Sequence, residues 1–266
     1  MLRQRTLTAA WLVPLALFGL FGLEGEGFRL FTAAIVLLAA WEWANLAGIT
    51  LPGRRLLPVA GLAVVMALFW ASGAVLSAWP LWLGALGWLA NLYWVTGYPA
   101  RLAQWRSTGM RLAMGLWVLL PTWVGFSVLR EGGTVWLLFV LLLVWGADIG
   151  AYFVGRTFGR HKLAPSVSPG KTWEGVAGGL AVTSLLAVGF ATWQGLGVAG
   201  GLVLLLATAV VTLASVLGDL LESMLKRHRG IKDSSQLLPG HGGVLDRVDS
   251  LTAAVPLFAL LHGGLL

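Results

Sequence analysis

The chain contains no cysteine, which removes disulfides, thiolate metal centres and cysteine nucleophiles together. Histidine is scarce too, with four in 266 residues, so carboxylates are left as the main metal-ligating groups. Charge is thin: Asp, Glu, Lys and Arg make up 11% of the chain, against about 25% in a soluble domain. Low-complexity tracts and fixed-period repeats are missing, which excludes solenoids and disordered tails. Small-x-small residues of the kind that end a signal peptide are absent before Glu24, so the first apolar run reads as a retained helix.

What is present is hydrophobic, 58% of the residues. Apolar runs of about 20 residues, enough to cross ~30 Å of hydrocarbon, recur over 6–23, 28–48, 56–76, 79–95, 111–129, 134–155, 174–194, 198–222 and 249–265. The expectation is an all-α, polytopic integral membrane protein of about nine transmembrane helices, with 1–266 forming one membrane domain. Cations sort to one side of these runs, as they do in cytoplasmic loops. Arg3, Arg5, Arg54, Arg55, Arg101, Arg106, Arg111, Arg156, Arg160, Lys162, Lys171 and the group from Lys226 to Arg247 fall on one face; Arg29 and Arg130 fall on the other, beside Glu24, Glu26 and Glu131. The N-terminus is then cytoplasmic, the C-terminus external, and the location the cytoplasmic (inner) membrane. This sorting accounts for the net charge of +7, and nucleic acid is not an expected partner. Trp11, Trp79, Trp105, Trp136 and Trp193 near the span ends read as interfacial belt residues.

Three acids, Glu42, Asp148 and Asp219, lie within the spans, all toward the cytoplasmic ends of their helices. An ionised carboxylate there costs about 2.5–3.5 kcal/mol on insertion scales, so each needs a partner or a wet cavity. Glu42, near Asn45, reads as a hydrogen-bonding link between helices. Asp219 shares a helical face with Ser215, Glu222, Ser223 and Lys226, a polar stripe that runs out of the membrane into residues 226–250. That segment packs five cations and three acids around His241-Gly242-Gly243. Carboxylates without cysteine favour a hard cation such as Mg2+, which binds through one or two carboxylates plus substrate phosphates. With Lys and Arg beside them, the pattern is that of a phosphoryl or nucleotidyl site; a loop that holds anionic headgroups has the same composition.

Residues 155–175 form a second basic, glycine-rich stretch on the same side. Its Pro169-Gly170-Lys171-Thr172 is not a P-loop, because Pro165 stands where that pattern needs glycine. Ser168 as N-cap with Pro169 at the first position would open a helix, and Lys171 would add to an anion site there.

The order Ser223-x-x-Lys226-Arg227, Lys232-Asp233, then His241-Gly242-Gly243-x-x-Asp246-Arg247-x-Asp249 closely resembles the signature of the phosphatidate cytidylyltransferase family. The resemblance extends to Asp148–Arg160 and Ser168–Gly175, covering the half 111–266, while 1–110 match only as apolar helices. It implies conversion of phosphatidate and CTP to CDP-diacylglycerol and pyrophosphate with Mg2+, a second cation being left open. It places the metal at Asp219, Asp246 and Asp249, with Asp148 either a further ligand or a partner of Lys171. Asp219, Asp246, Lys226 and His241 become catalytic; Arg227, Lys232, Lys171, Ser168, Glu174, Ser223 and Arg247 become substrate-binding. A CDP-alcohol phosphotransferase, a transporter and a non-catalytic lipid scaffold are the other readings. The phosphotransferase would carry an ordered D-G-x2-A-R motif, which is missing here. Small-residue spacing such as Gly146 to Gly150 permits close helix packing, within the chain or in a homodimer.

Overall fold

A computed structural model describes residues 2–265; Met1 and Leu266, and with them the very ends of the 1–266 domain and the external C-terminal residue, lie outside the described residues, as do the side chains of Arg3 and Arg5. The chain is predominantly helical. Its helices are α1 (Leu2–Leu17, continued by a π-helical turn), α2 (Gly25–Leu46), α3 (Leu56–Ala71), α4 (Trp79–Thr96), the short α5 (Leu102–Trp105), α6 (Thr108–Glu131), α7 (Thr134–Phe158), α8 (Trp173–Trp193), α9 (Val198–Arg229) and α10 (Leu245–Leu265). Among the described residues, six helices are long and apolar enough to cross a membrane: α2, α3 with its leading 3-10 turn, α6, α7, α8 and α9.

Local chemistry sets several boundaries. Ser107 caps α6 by accepting from the Met110 amide at 3.2 Å. Gly230, at φ +69°, lets the chain leave α9 through the left-handed region. One expectation is corrected between α7 and α8. Ser168 does not open a helix; Ser168–Thr172 is strand β2, paired antiparallel with β1 (Lys162–Ala164). Thr172 is the N-cap of α8, its hydroxyl accepting from the Gly175 amide at 3.1 Å. Extended pairing up to Thr172 and a hydroxyl with free N–H groups beyond it move the helix start four residues past Ser168.

The helices pack as α7 on α8, α9 on α8 and α10, and α6 on α2, α4 and α10. Glycine makes the α7–α8 contact possible. A Cβ at Gly178 would stand 2.5 Å from Val154 Cβ, and one at Gly150 would stand 2.6 Å from the Gly178 carbonyl. The face of Gly146 and Gly150 is therefore covered by this chain's own α8. The core is aromatic as well as aliphatic: Trp105, Trp123, Phe139 and Phe258 are fully buried. Trp105 was expected in the interfacial belt but packs against Tyr98 and His228 instead; Trp136 is half-buried among Phe139, Phe190 and His262. Trp11, Trp79 and Trp193 are exposed.

The bundle has two polar ends. At one, the Thr8 hydroxyl donates to the Pro239 carbonyl, and Asn45 meets Ser234. At the other, Arg29 pairs with Glu131, Arg130 donates to the Leu23 carbonyl, and Gly132 stands against His262. Thr8 of α1 and His262 of α10 thus lie at opposite polar ends.

Candidate active site

Helix α9 carries its polar stripe out of the apolar bundle, and α10 begins beside it. Gly218 sets that approach, since a Cβ there would lie 2.5 Å from the Asp249 carbonyl oxygen. Asp219 and Asp249 consequently come within electrostatic reach of each other.

Asp219, Glu222 and Asp246 each have a defined cationic partner. Asp219 takes the Lys171 ammonium at 2.8 Å and the Ser223 hydroxyl at 3.1 Å. Lys171 reaches it from the end of β2, so the hairpin lies over α9; Arg227 fixes the hairpin's turn by donating to the Val167 carbonyl at 3.2 Å. Asp148, on α7, is within reach of the charges on both Lys171 and Asp219. Two turns along α9 from Asp219, Lys226 lies between Glu222 at 2.9 Å and Asp246 at 2.7 Å.

Asp246 departs from expectation. Rather than meeting Asp219, its oxygens accept from Lys226, from the Ser234 hydroxyl at 2.9 Å and amide at 3.0 Å, and from the Gly243 amide at 2.7 Å. Those donors close the 230–244 loop onto α10, while Asp249 and Asp148 are the acids within electrostatic reach of Asp219. Glu222 was noticed only as part of the stripe. It is buried, lies near Asp249 and Asp246, and has one oxygen with no hydrogen-bond partner. Its spacing from Asp219 and Lys226 was the available signal.

Residues 3–263 match the sequence model of the cytidylyltransferase family. The chain belongs to that family. It is 48% identical over 269 residues to a protein of Pseudomonas aeruginosa named phosphatidate cytidylyltransferase, covering 98% of this chain and 97% of that one. Identity is 40% over 287 residues to a Haemophilus influenzae protein of the same name, covering 98% and 99%. A Staphylococcus epidermidis protein of that name is 35% identical over 267 residues, covering 98% of each chain.

In this cytidylyltransferase the remaining predicted residues lie around the charge cluster. Glu174 accepts from the amides of Arg160 and His161 and meets the His161 ring at 2.6 Å, which ties the hairpin's entry to the start of α8. Ser168 opens β2 opposite Ala164. Arg247 donates to the His241 carbonyl at 3.0 Å, and the His241 Nδ1 is buried without a hydrogen-bond partner. Lys232 is exposed on the loop. Glu42 links helices as expected, joining α2 to the first residue of α10 through the Leu245 amide at 2.6 Å, and it also accepts from the loop, from Ser235 Oγ and the Val244 amide at 2.9 Å.

Among the described residues no group of three or more His, Asp or Glu side chains is disposed as a metal cage. Lysine ammoniums pair with three of the carboxylates, Lys171 with Asp219 and Lys226 with Glu222 and Asp246. For Mg2+ such a cage is not needed, because one or two carboxylates suffice when substrate phosphates supply the other oxygens. The donors are all oxygen, and the unpartnered Glu222 oxygen is a further acceptor beside Asp249. This chemistry fits a hard divalent cation.

Proposed function

We propose that this protein joins phosphatidate to CTP, forming CDP-diacylglycerol and pyrophosphate, at the polar end of the bundle that carries Asp219, Lys171 and Lys226. Relatives 48% and 40% identical to it bear that enzyme's name. The observation that carries the reading is the alternation of lysine and carboxylate over α9, β2 and α10. A lysine held by a carboxylate at 2.8 Å is a cation that incoming phosphate oxygens can take over.

The phosphatidate phosphomonoester has a second pKa of about 6, so its oxygen is already anionic at neutral pH and needs no strong base. That oxygen attacks the α-phosphorus of CTP, a new P–O bond forms, and the bond to the β-phosphate oxygen breaks with its electron pair leaving on pyrophosphate. Two polyanions must meet, and charge builds on the leaving group, so fixed cations dominate catalysis. Lys171 is placed to bind phosphate while the hairpin orients it; Arg227 keeps that hairpin on α9. Lys226 holds Asp246 and Glu222 and with them the loop. Asp219 and Asp249 would hold Mg2+, which when bound supplies further positive charge to the triphosphate.

The polar end is read as cytoplasmic, in a nine-span arrangement in the inner membrane, because the sorted cations collect there. Reporter fusions after Arg55, Arg106 and Arg229 should be cytoplasmic; periplasmic reporters would reverse the assignment. The function is tested with purified protein in detergent, given phosphatidate, CTP and Mg2+. CDP-diacylglycerol and pyrophosphate should form in equal amounts and only when both substrates are present; no product, or product without phosphatidate, would refute it.

A further inference from the structure

Helix α10 starts with an unusual cap. The first amides of a helix have no partner within it, and the common remedy is an adjacent Ser, Thr, Asp or Asn. Here the preceding residue is Val244, which has no side-chain acceptor. The acceptor comes from Glu42, 203 positions before Leu245, near the end of α2. One of its oxygens takes the Leu245 amide at 2.6 Å; the other takes the Val244 amide at 2.9 Å and the Ser235 hydroxyl at 2.5 Å. Gly243 lies so close that a Cβ there would stand 2.5 Å from the carboxylate. Glu42 is fully buried, a state a carboxylate tolerates only when donors replace its water, and the positive end of the α10 dipole adds to them.

The end of α2 is itself held from several sides. Arg111 donates to the Leu46 carbonyl at 3.0 Å, Arg55 to the Asn45 side chain at 3.0 Å, and Arg229 to the Asn45 carbonyl at 2.9 Å. Asn45 in turn donates to the Ser234 carbonyl at 3.0 Å. The turn that Glu42 caps contains Asp246, and Asp249 follows within one further turn. A shift or rotation of this turn would move both acids relative to Lys226 and Asp219.

We infer that Glu42 is a positioning residue for nucleotidyl transfer: from the half of the chain without motifs, it sets the start of α10 and so the placement of Asp246 and Asp249. The inference rests on the cytidylyltransferase reading above. Its alternative is an ordinary stabilising cap, and the two differ in what they change. Misplacing a reacting group by about 1 Å costs on the order of 10²-fold in rate, without requiring weaker substrate binding or global loosening.

The test is Glu42→Gln, which keeps the size of the side chain but turns one acceptor into an N–H donor facing N–H groups. Steady-state kinetics and peptide-level hydrogen exchange are measured on the full-length protein in detergent. The expected result is a kcat lower by about 10- to 100-fold with KM for CTP and phosphatidate within about two-fold, and faster exchange over 243–249 while peptides from α6 and α7 stay unchanged. Ser235→Ala, which removes one donor and keeps both backbone contacts, should lower kcat by no more than about three-fold. A kcat within about two-fold of wild type for Glu42→Gln overturns the inference, as does faster exchange throughout the bundle, which is the mark of a stabilising cap alone. Wild-type protein that makes no CDP-diacylglycerol would instead sink the functional reading, and unchanged exchange over 243–249 would then refute the tether separately.

Discussion

Buried polar groups in the two halves of the chain have different partners. In residues 1–110 they are bound largely by backbone: Arg55 donates to the Ile49 and Thr50 carbonyls, Trp43 to the Arg111 carbonyl, and Glu42 accepts from the Val244 and Leu245 amides. Around α9, charge meets charge instead, with Lys171 on Asp219 and Lys226 between Glu222 and Asp246. Bonds to backbone hold a chain in place, since no ligand can replace a carbonyl or amide of the fold. A lysine–carboxylate pair can be exchanged for lysine–phosphate and carboxylate–cation contacts at little net loss of Coulomb energy. On the proposed reading, the first half grips and the second half reacts.

The comparison is broken most severely at the acids. Asp219→Asn and Asp249→Asn should each lower CDP-diacylglycerol formation by on the order of 10³-fold, measured by labelled CTP incorporation into lipid, while expression and detergent solubility stay near wild type. Near-normal turnover in either would place the chemistry elsewhere. Next in size, Lys171→Ala should lower turnover by about 10²-fold. Arg54→Ala is the control for the same face, because Arg54 is exposed in the 52–55 turn and belongs to none of the motifs; it should change turnover by less than about two-fold and stability by less than about 0.5 kcal/mol. Equal losses would mean that surface charge, and not a site, was being measured.

A smaller effect is expected where the two kinds of contact join. Gly218→Ala would push a methyl group against the Asp249 carbonyl, and backbone cannot yield as a flexible side chain does. Overpacking of this kind costs about 1–3 kcal/mol, so thermal unfolding in detergent should begin several degrees lower, and turnover should fall with it. Unchanged stability and turnover would show that α10 can move away from α9 without harm.

The sequence made the reactive half readable because its residues are ordered along the chain. Asp219, Ser223 and Lys226 repeat at helical spacing, and Lys226 to Asp249 follow a long motif. The apolar runs marked the helices for an equally local reason, since each span must satisfy its own backbone in lipid. The gripping contacts were not readable. Glu42 reads as a hydrogen-bonding link between helices, and it is one, but its partners lie about 200 positions away at the start of α10, where no local pattern names them. Asp246 and Asp249 look equivalent in the motif, yet three residues along a helix start are enough to give one the loop and the other Asp219. The Ser168-Pro169 pair fits a helix start by local preference, and β-pairing with 162–164 overrode it. Trp105 sits at a helix end like the belt tryptophans but is buried by α9, through His228.

The central claim is that the charge cluster on α9 and α10 transfers a cytidylyl group. It is tested most directly by giving purified wild-type and Asp219→Asn protein phosphatidate with CTP labelled at either the α- or the γ-phosphate. The account predicts α-label in the lipid product and γ-label in pyrophosphate for wild type, with both signals lost in Asp219→Asn. Label from the γ-phosphate in lipid would make the reaction a phosphoryl transfer, and undiminished α-label with Asp219→Asn would remove the cluster from the chemistry.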